Sequence, residues 1–557
     1  MKKGFFSKTL VALLVLSLVA GLALTGCGGD KEKADKGKGN KDFELNVIVG
    51  PEPKTIDPAL NTAVDGGIML NHLFEGLMTY DAKGKIVNGV AEKVDISEDE
   101  LTYTFHFRDG LKWSDGKPLT AKDFVFSWKR LLDPRTAADY SYMLESIKGA
   151  SEVMEADPKN ASEIEAALNN LAISAPDDKT FKVELIAKTP YFKDICAFPA
   201  TFPVREDIVS DKNWTQDPKK YIGNGPYKMT EWKHQAVIKT VKNKNYRDQK
   251  VIGPAKINFN LVEDANANLA AFKNNEDLFV DDIPNQELKS MEGQGLKIAP
   301  QLGTYFLCLN QNDPLMKNKK LREALSLAID RNYIVEKVSL GGETPADNFV
   351  PVGVKSEKDG VEFHKNAKAW YSVKKSDYKK NVKKAKKLLA EAGYPDGKGL
   401  KTLEISFNTN GNHQPIAEAV QNMWKTELGV NAQLSGQEWN VFIQTRKNAD
   451  YQIARHGWIA DYNDPISFLD MWVTGTGNND AKWSNAEYDK LIKNVKATGD
   501  PEKRFADMYK AQEILGEDLP IIPIYFYSDP YLISPDLKGV VVTPLGFKIF
   551  TFASLEK

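Results

Sequence analysis

Short runs of alternating apolar and polar residues are interleaved along this chain with stretches whose apolar residues recur at helical spacing. Phe43-Glu44-Leu45-Asn46-Val47-Ile48-Val49 reads as a strand, broken by Gly50-Pro51-Glu52-Pro53. Leu101, Tyr103, Phe105 and Phe107 alternate with Thr102, Thr104 and His106. That predicts a second strand, with His106 turned away from the apolar face. Arg108-Asp109-Gly110 and Ser114 to Pro118 are turns. Thr120 and Asp123 form a capping box for a helix through Leu132, stopped by Asp133-Pro134. Residues 150–172, rich in Ala, Glu and Asn, predict an exposed helix. Further helices are predicted over 321–330, 382–392 (closed by Gly393 and Pro395) and 415–428. No repeat of about 20 to 50 residues is visible. The irregular alternation of strands and helices predicts α/β or α+β domains.

The amino terminus follows another pattern. Lys2, Lys3 and Lys8 precede an uncharged, mostly apolar run from Thr9 to Gly26, which ends in Leu24-Thr25-Gly26-Cys27. Positive, apolar and small residues in that order predict a secretory signal over residues 1–26. The final tetrapeptide resembles the bacterial lipobox, in which cleavage leaves the cysteine as a lipid-bearing first residue. Cys27 is therefore the expected lipidation site. The run is also about long enough to span a bilayer as a single anchor, but the small residues directly before Cys27 favour cleavage. Residues 28–42 are so polar that residues 27–42 read as a lipidated, flexible tether. The expected location is the extracytoplasmic face of a cell membrane, with lipid as the only membrane contact.

At 557 residues the chain is too long for one core, so two or three domains are expected. Hydrophobic residues make up 42% and charged residues 27%, as in ordinary soluble domains, and no other uncharged run is long enough to cross a membrane. A net charge of −2 gives no reason to expect nucleic acid. Cys196 and Cys308 have neither CxxC spacing nor a nearby histidine. They are either a single disulfide, permitted outside the cell, or two buried thiols. Six histidines occur, none in an HExxH pair, and there is no GxSxG elbow or GxxxxGK[ST] loop. Gly475-Thr476-Gly477 reads as a loop. These absences argue against an enzyme without excluding a triad assembled in space. No metal or cofactor is expected.

Four segments carry a resemblance. They are YTFHFRDGLKWSDGKPLTAKDFVFSWKRLLDP (Tyr103 to Pro134), Gly223-Asn224-Gly225-Pro226-Tyr227 followed by Glu231-Trp232, LREALSLAIDR (Leu321 to Arg331), and GWIADYNDPISFL (Gly457 to Leu469) preceded by Gln437-Glu438-Trp439. Together and in this order they resemble the oligopeptide-binding proteins of bacterial ABC importers. The resemblance implies an α/β, two-lobed periplasmic-binding-protein-like clamshell of type II with an additional third domain. Lobe I would comprise 43–64, 198–302 and 528–557. The additional domain would be 65–197, packed on lobe I, and lobe II would be 303–527. A hinge between the lobes would close on the ligand. The implied function is capture of oligopeptides and their delivery to an ABC permease whose ATPase subunits are separate chains, by a monomer without chemistry of its own. A receptor for a signalling peptide shares the same fold. Non-peptide ligands (a nickel chelate, haem or a saccharide) are disfavoured by the Ala-Asp-Tyr motif. A secreted peptide hydrolase is the alternative from another class.

The resemblance also implies roles for single residues. Asp461 of the Ala-Asp-Tyr motif would bind the peptide ammonium, although Asp461, Asn463, Asp464 and Pro465 also make a plausible turn. Trp439 and Trp458 would line side-chain pockets or simply pack in a core, and Tyr140 in Asp139-Tyr140-Ser141-Tyr142 would join them. Arg455, His413 and Arg446 would meet the peptide carboxylate, for which an arginine fork is suited. Arg446 could equally be solvated surface charge. Glu52, after the first strand, would face the ligand. Some relatives carry a cysteine pair where this chain has Gly303 and Ile459.

Overall fold

The computed structural model describes residues 42–556, apart from 359 and 410. The signal segment, Cys27 and all of the tether but Asp42 lie outside the described residues. The main sheet has eleven strands and is organised by two long ones, Leu296–Leu309 and Ile521–Ile533, which pair antiparallel. Outward from Ile521–Ile533 come Phe279–Asp281, Glu44–Ile48, Lys256–Asn260, Val237–Lys242 and Tyr227–Lys233. Outward from Leu296–Leu309 come Ile453–Ile459, Leu403–Asn408 and Ala432–Gln437. Two strands thus join the halves of the sheet. Their ladder is interrupted between Pro300 and Thr304, where the register slips opposite Tyr527. Pro300, Pro523 and Pro530 each remove a ladder donor from the pair. Gly303 pairs across from Ile459.

Side chains alternate along the inner strand as a pleat requires. Tyr305, Leu307 and Leu309 enter one core with Leu321, Leu325, Leu389, Val420 and Trp424. Phe306 and Cys308 face the other side, where Phe306 meets Phe349 and Trp472 edge-on. The helices over the first core are Lys319–Leu327, Tyr378–Glu391 and His413–Leu428. Each begins a few residues before its predicted start. For the first, Asn318 is the reason: its side chain accepts from the Leu321 N–H at 3.3 Å and caps the helix.

A separate four-stranded antiparallel sheet contains Ala91–Ile96, Thr102–Phe107, Thr180–Glu184 and Ile173–Asp177. The second predicted strand is here, with Tyr103, Phe105 and Phe107 buried and His106 out against Asp95 at 2.8 Å. The helix Ala121–Leu132 packs on it, its capping box closed by the Thr120 N–H donating to Asp123 Oδ2 at 2.7 Å. The exposed helix predicted over 150–172 is instead two, Ala150–Glu155 and Ala161–Asn170. Pro158 separates them, since it cannot donate within a helix, and Ala150, Val153, Ile164, Ala167 and Leu168 bury the inner face. Cys196 and Cys308 are free and buried, so the disulfide alternative does not hold.

Candidate functional site

A cavity of about 270 Å³ lies beside the junction of the two sheet halves. One water needs only ~10–15 Å³, so this space suits a ligand chain. Its walls come from Val49–Pro51, from the start of the helix Val64–Leu73, from Tyr140 and Phe198, and from residues 439–480.

Asp461 follows directly on the strand Ile453–Ile459. Its N–H donates to Ser467 Oγ at 2.8 Å, and the Trp458 indole donates to the Ser467 carbonyl at 2.7 Å, so one serine fixes both. The turn is made by Asp464, whose Oδ1 accepts from Ile466 N–H and whose carboxylate is paired with Arg504 at 3.1 Å. The Asp461 carboxylate takes no part in it. It is 4% exposed and accepts from the Tyr142 hydroxyl, at 3.4 Å, with the Tyr140 hydroxyl beside it. No basic residue pairs with it among the described residues. Burial, and next the nearby Asp470 carboxylate, hold its pKa well above the ordinary range, while the Tyr140 and Tyr142 hydroxyls oppose this. The aromatic wall is continuous, with Trp458 stacked on Tyr140 at 6.4 Å and Tyr140 on Tyr142 at 5.9 Å.

The helix Trp439–Lys447 starts at a cap formed by Glu438, which accepts from Asn440 and Val441. Trp439, Ile443 and Arg446 line the cavity from this helix. Arg446 is buried, not a solvated surface charge, and stands 4.0 Å from Asp480. Burial alone would raise the Asp480 carboxyl, but Lys447, His456 and Arg446 outweigh it and hold the group ionised. His456, 3.2 Å from Asp480, is lowered to about 4, first by burial and then by Arg446. Arg455 donates to Asn408 at 3.3 Å and to the Tyr527 hydroxyl at 3.2 Å, and lies over the Tyr305 ring. Among the described residues it has no carboxylate ion-pair partner, and the Nε of both arginines is buried without an acceptor.

Asp461, Trp458, Trp439, Arg455, Arg446 and Tyr140 thus share one cavity. Two of the expected residues do not. Glu52 is turned to His234 and accepts from the Gln235 N–H at 2.6 Å. The His234 ring and the Gln235 N–H hold its carboxylate there. His413 begins the helix His413–Leu428 and sits behind Tyr305, 5.6 Å between ring centres. Burial, with Arg455 adding to it, keeps its imidazole neutral. Sequence reasoning missed Asp65, Tyr142, Asp480, Lys447 and Tyr527. Lys447 binds the Gly477 carbonyl at 2.8 Å, so the Gly475-Thr476-Gly477 loop backs this wall.

The sequence model of the bacterial extracellular solute-binding proteins, family 5, matches residues 85–480. The chain belongs to this family. It is 37% identical to the oligopeptide-binding protein OppA of Bacillus subtilis, over 98% of each chain. The crystal structure of Haemophilus influenzae OppA in complex with RPPGFSPFR superposes with a TM-score of 0.85 at 30% identity, covering 93% of this chain and 100% of that one. Against a murein tripeptide-binding protein in its unliganded open form the TM-score is 0.62, at 31% identity and with 93% and 98% covered. The fold is the two-lobed, mixed α/β architecture of these binding proteins. The family consists of extracellular solute-binding proteins.

Proposed function

We propose that this protein captures oligopeptides in the cavity and passes them to an ABC permease with separate ATPase subunits. It performs no chemistry on them. One observation carries the reading: among the described residues a single cavity holds a buried carboxylate without a paired cation, Asp461, and a guanidinium without a paired carboxylate, Arg455. Unpaired buried charges of opposite sign are costly unless a ligand pairs them. An extended peptide offers an ammonium and a carboxylate, and the aromatic wall of Trp458 and Tyr140 suits its side chains. The relatives' names point the same way. We infer that the lobes meet near 302/303 and 527/528, where the register slips, with 65–197 as the added domain. The higher similarity to a liganded relative than to an open form supports a closed state here and a hinge there.

Native mass spectrometry of protein purified from cells is expected to show intact peptide adducts. Protein that carries no peptide, and takes none from a peptide mixture, overturns the reading. Cleavage of the added peptides would put a hydrolase in its place. The lipid anchor is tested separately. Metabolic fatty-acid label is expected on the wild type and absent from Cys27→Ala, and label persisting on the variant shows the anchor to be elsewhere.

A further inference from the structure

The cavity contains a second carboxylate that the capture of two peptide termini does not use. Asp65 lies in the first turn of the helix Val64–Leu73 and lines the cavity beside the Trp439 indole. It is 7% exposed. One oxygen, Oδ1, accepts from the Gly66 N–H at 2.8 Å, which fixes the side chain. The other, Oδ2, is buried and has no partner. An acidic residue in a first turn is ordinarily explained by the helix dipole. That accounts for ionisation at the rim of a helix, but not for a buried oxygen whose neighbouring donor, the Trp439 indole, is neutral.

Among the described residues no cation of the cavity is paired with Asp65, and Arg455 is held by Asn408 and the Tyr527 hydroxyl. Arg446 and Lys447 share the cavity but are engaged by Asp480 and the Gly477 carbonyl, and no ion pair reaches Asp65 among the described residues. The Trp439 indole N–H is likewise buried without a partner, and it lies near enough to favour the ionised carboxylate. Burial still dominates, and pushes the Asp65 carboxyl up to about 6. A carboxylate flanked by an indole is a receptor for an alkylammonium or guanidinium, which gains both the ion pair and an aromatic contact. The Val49–Pro51 segment closes the space beside it; a Cβ on Gly50 would stand 3.3 Å from that of Asp65.

We propose that Asp65 is a specificity residue that receives a lysine or arginine side chain of the bound peptide, where the peptide passes between Val49–Pro51 and Trp439. This rests on the peptide reading of the cavity. It makes the protein selective for peptides with a basic side chain at one fixed distance from the amino terminus held by Asp461.

The test uses protein freed of co-purified ligand and two sets of short alanine-based peptides with free termini. One set carries a single lysine at successive positions, and the other a single norleucine, which has the same stem without the ammonium. Calorimetry on the wild type is expected to show, at one position, about tenfold or greater preference for lysine. Asp65→Asn keeps the oxygen that meets Gly66 and is expected to abolish the preference while leaving the norleucine peptide within about twofold. Asp65→Ser gives the same comparison if the asparagine variant does not fold. Equal binding of lysine and norleucine peptides at every position overturns the proposal alone, as does a lysine preference that survives both substitutions. Failure of either set to bind at all overturns the peptide reading, and this proposal with it.

Discussion

Asp461→Asn is expected to weaken a free-amine peptide by about tenfold or more, at roughly 1.4 kcal/mol per decade. The carboxylate is sealed between Tyr140, Tyr142 and the Ser467 turn, so an arriving ammonium would be its only cation. Charge-assisted bonds of this kind contribute about 1.5–3 kcal/mol. N-acetylation of the peptide should cost the wild type a similar factor and the variant little. The proton provides a second signature. Since the free carboxyl is held well above its ordinary range, pairing it with an ammonium releases a proton whenever the solution is more acidic than that raised value. Affinity should therefore fall as the pH is lowered, and in Asp461→Asn this component should vanish. Calorimetry on free and acetylated peptides, repeated at several pH values, decides the assignment. Equal affinities for the two peptides would sink it.

Asp480→Ala is expected to destabilise the ligand-free protein by about 3–5 kcal/mol, because it leaves Arg446 buried without its counter-charge. His456 and Lys447 lose the same partner. The Asp480 pKa is depressed, so its contribution is fully present above the unfolded value of about 3.9 and is lost as the pH falls through the lower folded value. The difference between wild type and variant should thus stay constant from neutral pH to about pH 4 and shrink only below it. Urea unfolding without peptide measures this, because bound ligand would add its own stabilisation. A variant within 1 kcal/mol (an ordinary surface effect is roughly half that) would show that the cluster is not held by Asp480.

Much of the local structure was legible because it rests on short-range rules. Period-two alternation marked Tyr103, Phe105 and Phe107, and a capping box marked the start of the helix at Ala121. The Pro158 break inside 150–172 followed from proline chemistry but was overridden by composition. Six residues that line the cavity were named through the family resemblance, yet their mutual distances were not legible, because the walls come from segments hundreds of positions apart. Arg446 had a readable signal that went unused: Trp439, Phe442, Ile443 and Arg446 recur at i, i+3, i+4 and i+7, which puts the arginine on the buried face. Glu52 and His413 lie outside the cavity lining. Their residue types suited a ligand, but His234 and Tyr305 reached them first. Asp65 gave no sequence signal, since its isolation is a property of what does not surround it.

The slipped register opposite Tyr527 has a consequence for time rather than for affinity. Tyr527 lines the cavity and receives a hydrogen bond from Arg455, and it stands where the two long strands lose their ladder. With the hinge proposed at this point, a peptide carboxylate seated on Arg455 would bear directly on it. Escape then requires the swing itself, and the residence time of a peptide becomes the waiting time for that motion. A permease that pries the molecule open at this point would unload peptides of very different affinity at nearly the same rate.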